Sequence, residues 1–165
     1  MQIPMKHGAL LGSEIAVRLM HTLRTVLKCD SAGEKQADEC RLLQSVCNIL
    51  VEDGGFPVAW VGYTEADPQK AIRVVAQAGD RILPNLKLAS AEADCEDAAS
   101  VAIRTGQTCR IPDIHNQPIL EPLPDGTLKC GQTSVLSLPL KSDGQTFGAL
   151  TLYTDDPGQF EQDTV

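Results

Sequence analysis

Residues 134–153 read SVLSLPLKSDGQTFGALTLY. Two apolar, β-prone runs flank Lys141-Ser142-Asp143-Gly144. Asp-Gly between alternating hydrophobics predicts a tight hairpin over about 133–154, because the turn needs residues that tolerate positive φ. Pro139 removes one ladder donor from the first strand, so that end is expected at an edge or a bulge. Pro157-Gly158 then closes the sheet, and FEQDTV, residues 160–165, reads as a helix cut short after one turn.

Upstream, Phe56-Pro57 opens VAWVGYTE, residues 58–65, whose Val, Trp and Tyr favour a strand. Residues 66–70 form a polar turn with Asp67-Pro68, and IRVVAQAGD, residues 72–80, is the return strand. A helix is predicted over 34–53, with Ala37, Cys40, Leu43, Val46, Cys47 and Leu50 on its buried face and Leu42 and Ile49 widening it. Ser31 and Glu34 make a capping box at its start, and Gly54-Gly55 ends it. Residues 10–28 carry Leu11, Ile15, Leu19, Leu23 and Val26 on one stripe, opposite Arg18, His21 and Arg24. So narrow a stripe suits a helix lying along a partner such as its twin in a dimer; folding back on its own domain is the alternative. The chain therefore divides into a helical extension, 1–32, and a domain, 33–165.

Residues 81–93 show no clean period and read as loop with a short helix at most. Asp94 with Asp97 can cap a helix over about 95–105 that stops at Thr105-Gly106. TCRIPDI, residues 108–114, is a short strand interrupted by Pro112, hence an edge. Residues 115–132, with three prolines and two glycines, predict an irregular lid. Strand pairs joined by short turns, with helices apart from them, mean an α+β fold on an antiparallel sheet.

Composition narrows the function. The 165 residues carry a net charge of -8 with only 4% aromatics. That balance argues against nucleic acid, which needs a basic footprint or a stacking platform. The charge is uneven: Lys6, Arg18, Arg24 and Lys28 against Glu14 give residues 1–28 a net +3, leaving -11 to the rest. A basic helix can lie on a membrane surface, but a solvated helix face accounts for the same pattern. No apolar run approaches the ~20 residues of a membrane span. The first residues lack a signal peptide's apolar region, so a cytoplasmic protein is expected, without membrane insertion.

The chemical vocabulary is sparse. No nucleotide-binding glycine loop, zinc-protease motif or nucleophile elbow occurs. Six cysteines stand at 29, 40, 47, 95, 109 and 130, with no Cys-x-x-Cys and no Cys-His spacing suited to zinc. Cys40 and Cys47 read as small core hydrophobes; Cys95, Cys109 and Cys130 are harder to dismiss. His7 and His21 belong to the helical extension. His115 follows Asp113 in the Asp113-Ile114-His115 run and can ligate a haem or pair with an anion. No cofactor is identified.

LLQSVCNILVEDGGFPVAWVGY (42–63), AIRTGQTCRIPDI (102–114), CGQTSVLSLPLKSDGQTFGALTLY (130–153) and DDPGQFEQD (155–163), in this order and spacing, resemble a GAF domain. That family is the ligand-sensing module of bacterial histidine kinases, cyclic-di-GMP enzymes and phosphodiesterases. The AWVGY stretch is similar to sensor domains preceding kinase or GGDEF output domains. The resemblance implies a central antiparallel sheet with N- and C-terminal helices on one face and a pocket on the other, under a lid at about 81–132. It implies a non-catalytic sensor of an unknown small molecule, homodimeric through its N-terminal helices. The candidate pocket residues are Trp60, Arg73, Cys95, Asp113, His115 and Ser137, with Arg104 a further cation for an anionic ligand. The signature of the cyclic-nucleotide binders is not found, nor the Cys-His pair of the bilin binders. Two alternatives stand beside the sensor. One is a redox enzyme similar to free methionine sulfoxide reductase, using Cys95, Cys109 and Cys130, although that family's cysteine contexts are missing and acidic neighbours raise the Cys95 thiol. The other is a structural dimerisation module without ligand.

Overall fold

The computed structural model describes residues 34–66, 71–79, 97–114, 134–156 and 160. Along the chain come helix α1 (Glu34–Glu52), strands β1 (Val58–Thr64) and β2 (Ile72–Gly79), helix α2 (Ala98–Thr105), the short strand β3 (Cys109–Ile111), and strands β4 (Ser134–Ser142) and β5 (Gln145–Thr154). Asp143 and Gly144 make the β4–β5 turn with φ of 51° and 81°. Two positive φ values match the twist of the flanking strands, which is the physical content of the Asp-Gly signal.

The five strands form one antiparallel sheet in the order β2-β1-β5-β4-β3. The two hairpins β1–β2 and β4–β5 are joined edge to edge by pairing β1 with β5. Successive strand residues point to opposite faces, and here both faces are apolar. On one, α1 sets Leu43, Val46, Cys47 and Leu50 against Ala59, Val61, Ala76, Leu150 and Leu152. On the other, Ala98 and Ala99 of α2 meet Val58, Trp60, Val135, Ala149 and Tyr153. The small side chains of α2 let it sit close to the sheet.

Asp97 starts α2. One carboxylate oxygen accepts from the amides of Ala99 and Ser100 at 2.9 and 3.0 Å, and the other from the Ser100 hydroxyl at 2.6 Å. Such a cap contributes about 1 kcal/mol.

Several details depart from the sequence pattern for local reasons. Ile49 is 38% exposed and Leu42 half-buried, because α1 packs chiefly on β2 and β1 and buries one stripe only. β3 is three residues long, since Pro112 lacks the N–H that would continue the ladder. Pro139 pairs with Ala149 beyond the last β3 partner of β4, Ser137, and one residue before the irregularity at Leu140/Lys141. It is therefore tolerated in a strand that is interior elsewhere. The helix expected over 10–28, the Ser31 cap, most of the turn at 66–70, the stretches 81–93 and 115–132, and the final helix lie outside the described residues. Of that last segment Phe160 is described: it stacks on Phe56 with ring centroids 6.0 Å apart, and Arg110 donates to its carbonyl oxygen.

β2 is an edge strand, and an edge invites pairing with another chain. Gln44 on α1 blocks it. Its amide nitrogen donates to the Gln77 carbonyl at 2.6 Å, and its amide oxygen accepts from the Gln77 N–H at 3.4 Å. Gln44→Ala is expected to lower stability by about 1–2 kcal/mol in urea unfolding. Asn48→Ala, which removes only the outer partner of the same amide, should change it by less than about 0.5 kcal/mol.

Candidate functional site

The sheet face under α2 carries a line of residues that the strand register sets side by side. Gln77 lies opposite Trp60, Trp60 opposite Thr151, Thr151 opposite Ser137, and Ser137 opposite Cys109. Directly paired residues share a face. Trp60, Thr151 and Ser137 are almost wholly buried, and the Ser137 and Thr151 hydroxyls share a hydrogen bond of 2.8 Å. Around them stand Val58, Ile72, Ile111, Ile114, Val135 and Ala149. A polar line thus crosses an otherwise greasy floor.

Gly62 makes room for the Trp60 ring. A Cβ at Gly62 would come within 2.7 Å of Trp60 Cζ3 and 2.5 Å of Ile72 Cγ2. Two residues on along the same face, the missing side chain is the bed for the benzo edge of the indole. The opposite edge carries Nε1–H, and this buried donor has no hydrogen-bond partner. The Tyr153 hydroxyl is the polar neighbour of this N–H, and its interaction with the indole favours the ionised phenol, although the contact falls short of full hydrogen-bond geometry. Burial first, and then the charge of Asp97, push the Tyr153 phenol up strongly, so it stays neutral.

A GAF domain model matches residues 36–165. The chain belongs to the GAF domain family. Solved structures similar to this GAF domain include free methionine-R-sulfoxide reductase from Neisseria meningitidis in complex with its substrate, 16% identical with a TM-score of 0.64, covering 97% of this chain and 83% of that one. The nlh2 GAF domain of A. aeolicus, in an inactive state, is 13% identical with a TM-score of 0.59, covering 87% and 81%. A Staphylococcus aureus NreA protein mutated in its nitrate binding site is 20% identical with a TM-score of 0.55, covering 73% and 88%. At these identities the likeness is one of fold. A comparison with curated protein sequences finds no match.

The GAF architecture, with its antiparallel sheet and flanking helices, is as the sequence resemblance implies. Among the sequence candidates, Trp60 and Ser137 come together on the α2 face with Thr151 between them. Asp113 is half-buried just past β3, beside the buried Ile114. Arg73 pairs in register with Tyr63, whose ring belongs to the α1-side core. Its side chain is 57% exposed and stands 3.5 Å from Glu65, so it is on the other face from Trp60. Arg104 is exposed on α2. Cys95, His115 and Cys130 lie outside the described residues. Sequence reasoning missed Thr151 and Tyr153. The alternation Ala149-Thr151-Tyr153 marks one face of β5, but only the β1–β5 register puts that face beside Trp60.

Of the described cysteines, Cys47 is buried in the α1-side core, and burial pushes its thiol up to about 12. Tyr63 is also raised, by burial and then by its hydrogen bond to Glu39 and that carboxylate's charge. Among the described residues no group of three His, Cys, Asp or Glu is placed to hold a metal ion, and no helix is long and apolar enough to cross a membrane.

Two outcomes follow. Gly62→Val should shift the emission of the only tryptophan and lower stability by about 1–3 kcal/mol, seen by fluorescence-monitored unfolding. Stability should hold up to the unfolded cysteine pKa, about 8.5, and then fall as pH rises further, because the unfolded chain releases protons that folded Cys47 keeps up to about 12. Urea unfolding across pH 8–11 checks this, and Cys47→Ala should flatten the first part of the decline.

Proposed function

We propose that this GAF domain is a non-catalytic sensor of a small molecule in bacterial signal transduction. Ligand state would pass to an output domain of the kinase or diguanylate cyclase type through flanking helices that pair in a homodimer. The observation that carries the reading is the buried line Trp60-Thr151-Ser137 under α2. A face built for packing alone needs no indole N–H short of a hydrogen bond, since a buried polar group weakens a core unless it is satisfied. Ligand sites combine such a few placed polar groups with an apolar lining. Asp113, just past β3, and Cys95 and His115 are further residues proposed for ligand contact; Arg73, on the other face of the sheet, is not part of this floor. The cytoplasm is the proposed compartment.

Coupling of this kind is modest in energy. A tenfold preference of ligand for one helix arrangement supplies about 1.4 kcal/mol, enough to bias a dimer whose two arrangements are nearly balanced.

The similar folds include enzymes that act on free methionine-R-sulfoxide and a protein with a nitrate binding site. The redox alternative would need an activated thiolate and a resolving cysteine. Cys109, at the end of the polar line, is the described cysteine nearest such a role. Its presence there is the one observation in favour, and the raised Cys47 thiol takes no part.

Native mass spectrometry of freshly purified protein tests the sensor reading. The expected result is a dimer carrying a small molecule that Trp60→Phe or Ser137→Val releases. A ligand-free monomer at micromolar concentration contradicts it. Reduction of free methionine-R-sulfoxide with a thiol reductant, lost on Cys95→Ser, Cys109→Ser or Cys130→Ser, would establish the enzyme instead; the expected turnover is none above buffer.

A further inference from the structure

We propose that Arg110 of β3 is the positioning residue through which the state of the α2-side floor reaches the C-terminal end of the domain. The proposal rests on the sensor reading and adds to it a route out of that site.

The route starts from the alternation of a strand, whose successive residues face opposite ways. Ile111 is buried in the α2-side core with Trp60 and Val135, and half-buried Cys109 packs against the same cluster. Arg110, between them, faces the other side. Its register partner Leu136 packs against the α1-side core, and its guanidinium Nη1 donates to the carbonyl oxygen of Phe160. One three-residue strand thus touches the floor with two side chains and the C-terminal part of the chain with the third.

Phe160 is itself well seated. It is 3% exposed, belongs to the α1-side core, and stacks on Phe56 with 11° between the ring planes. Phe56 follows the end of α1 and donates its N–H to the Leu50 carbonyl oxygen at 3.2 Å. The ring of Phe160 is therefore held by the end of α1, and its carbonyl by β3. The two holds respond differently to movement. Apolar burial is non-directional, whereas a hydrogen bond weakens steeply as it bends. A displacement of β3 acts on Phe160 through Arg110.

The position of β3 in the sheet suits it to such a displacement. It stands at the end of the strand order and pairs with β4 over three residues. The opposite edge strand, β2, is eight residues long and is tied to α1 by Gln44. A contact on the floor that moves Ile111 carries Arg110 with it, because the two share one short piece of backbone.

Hydrogen exchange of the full chain, read by mass spectrometry, tests the proposal in the peptide 155–165, with the α1 peptide 42–50 as control. Arg110→Ala is expected to speed exchange in 155–165 about tenfold, the factor that loss of one charge-assisted hydrogen bond supplies, and to leave 42–50 unchanged. Arg110→Lys, which keeps a charged donor, should restore part of the protection. Ile111→Ala stands in for a ligand by loosening the floor under β3, with Ile111→Val as the milder form should the first not fold. In the presence of Arg110 it should speed exchange in 155–165 about threefold or more, and in Arg110→Ala protein it should add nothing. That failure of additivity is what an arginine serving stability alone would not produce. Unchanged exchange in 155–165 of Arg110→Ala protein, or an equal effect of the Ile111 substitution with and without Arg110, overturns the proposal and leaves the sensor reading standing. Failure of the sensor reading shows separately, as a ligand-free monomer in native mass spectrometry.

Discussion

The pairing of β1 with β5 is the contact on which everything else depends. It joins two hairpins, neither of which buries both its faces alone, and it closes them into one sheet with two apolar faces. It also sets Trp60 beside Thr151, and through β4 beside Ser137. A shift of one residue in that register would turn Trp60 against the wrong face and send the line of polar groups toward α1. The register is held from both sides. Ala59, Val61, Leu150 and Leu152 bury against α1, while Val58, Trp60, Ala149 and Tyr153 bury under α2. No one-residue slip satisfies both layers.

The two faces then differ in what they are built for. The α1 side is aliphatic, with Gln44 tying the helix to the exposed edge of β2. The α2 side gives up some of that simplicity. It keeps a hydroxyl pair and an indole N–H short of a hydrogen bond in its interior, and it makes room for the indole by omitting a side chain at Gly62. Proteins tolerate local loss of packing economy where function needs a group poised. The fold itself does not decide the use, since similar structures include both a free methionine-R-sulfoxide reductase and an nlh2 GAF domain in an inactive state. The proposed use rests on the chemistry of this one face.

Much of this was legible in the residues. Asp143-Gly144 announced the hairpin, the apolar stripe from Leu43 to Leu50 announced α1, and Asp94 with Asp97 announced a helix from about 95, which the structure starts at Ala98 with Asp97 as its cap, because each signal acts within a few residues along the chain. Trp60 and Ser137 could be named as candidates for the same reason: each sits on a strand whose alternation is visible. What escaped was set at long range. Thr151 gains meaning only from strands about ninety residues apart in sequence meeting at one register. Arg73 looked suited to a pocket, but the irregularity in the β1–β2 ladder between Val61 and Gly62 changes which side of β2 faces α1. The exposure of Ile49 likewise depends on where α1 comes to rest across the sheet, which its own periodicity does not state.

With a single tryptophan in the chain, the indole N–H gives one cross-peak in a proton–nitrogen correlation spectrum. The account predicts that, in ligand-free protein, this peak exchanges slowly with water and its proton resonates where indoles without a hydrogen bond do. A peak that exchanges rapidly, or one already shifted as a strongly bonded N–H would be, contradicts the claim that Trp60 holds a buried donor in reserve.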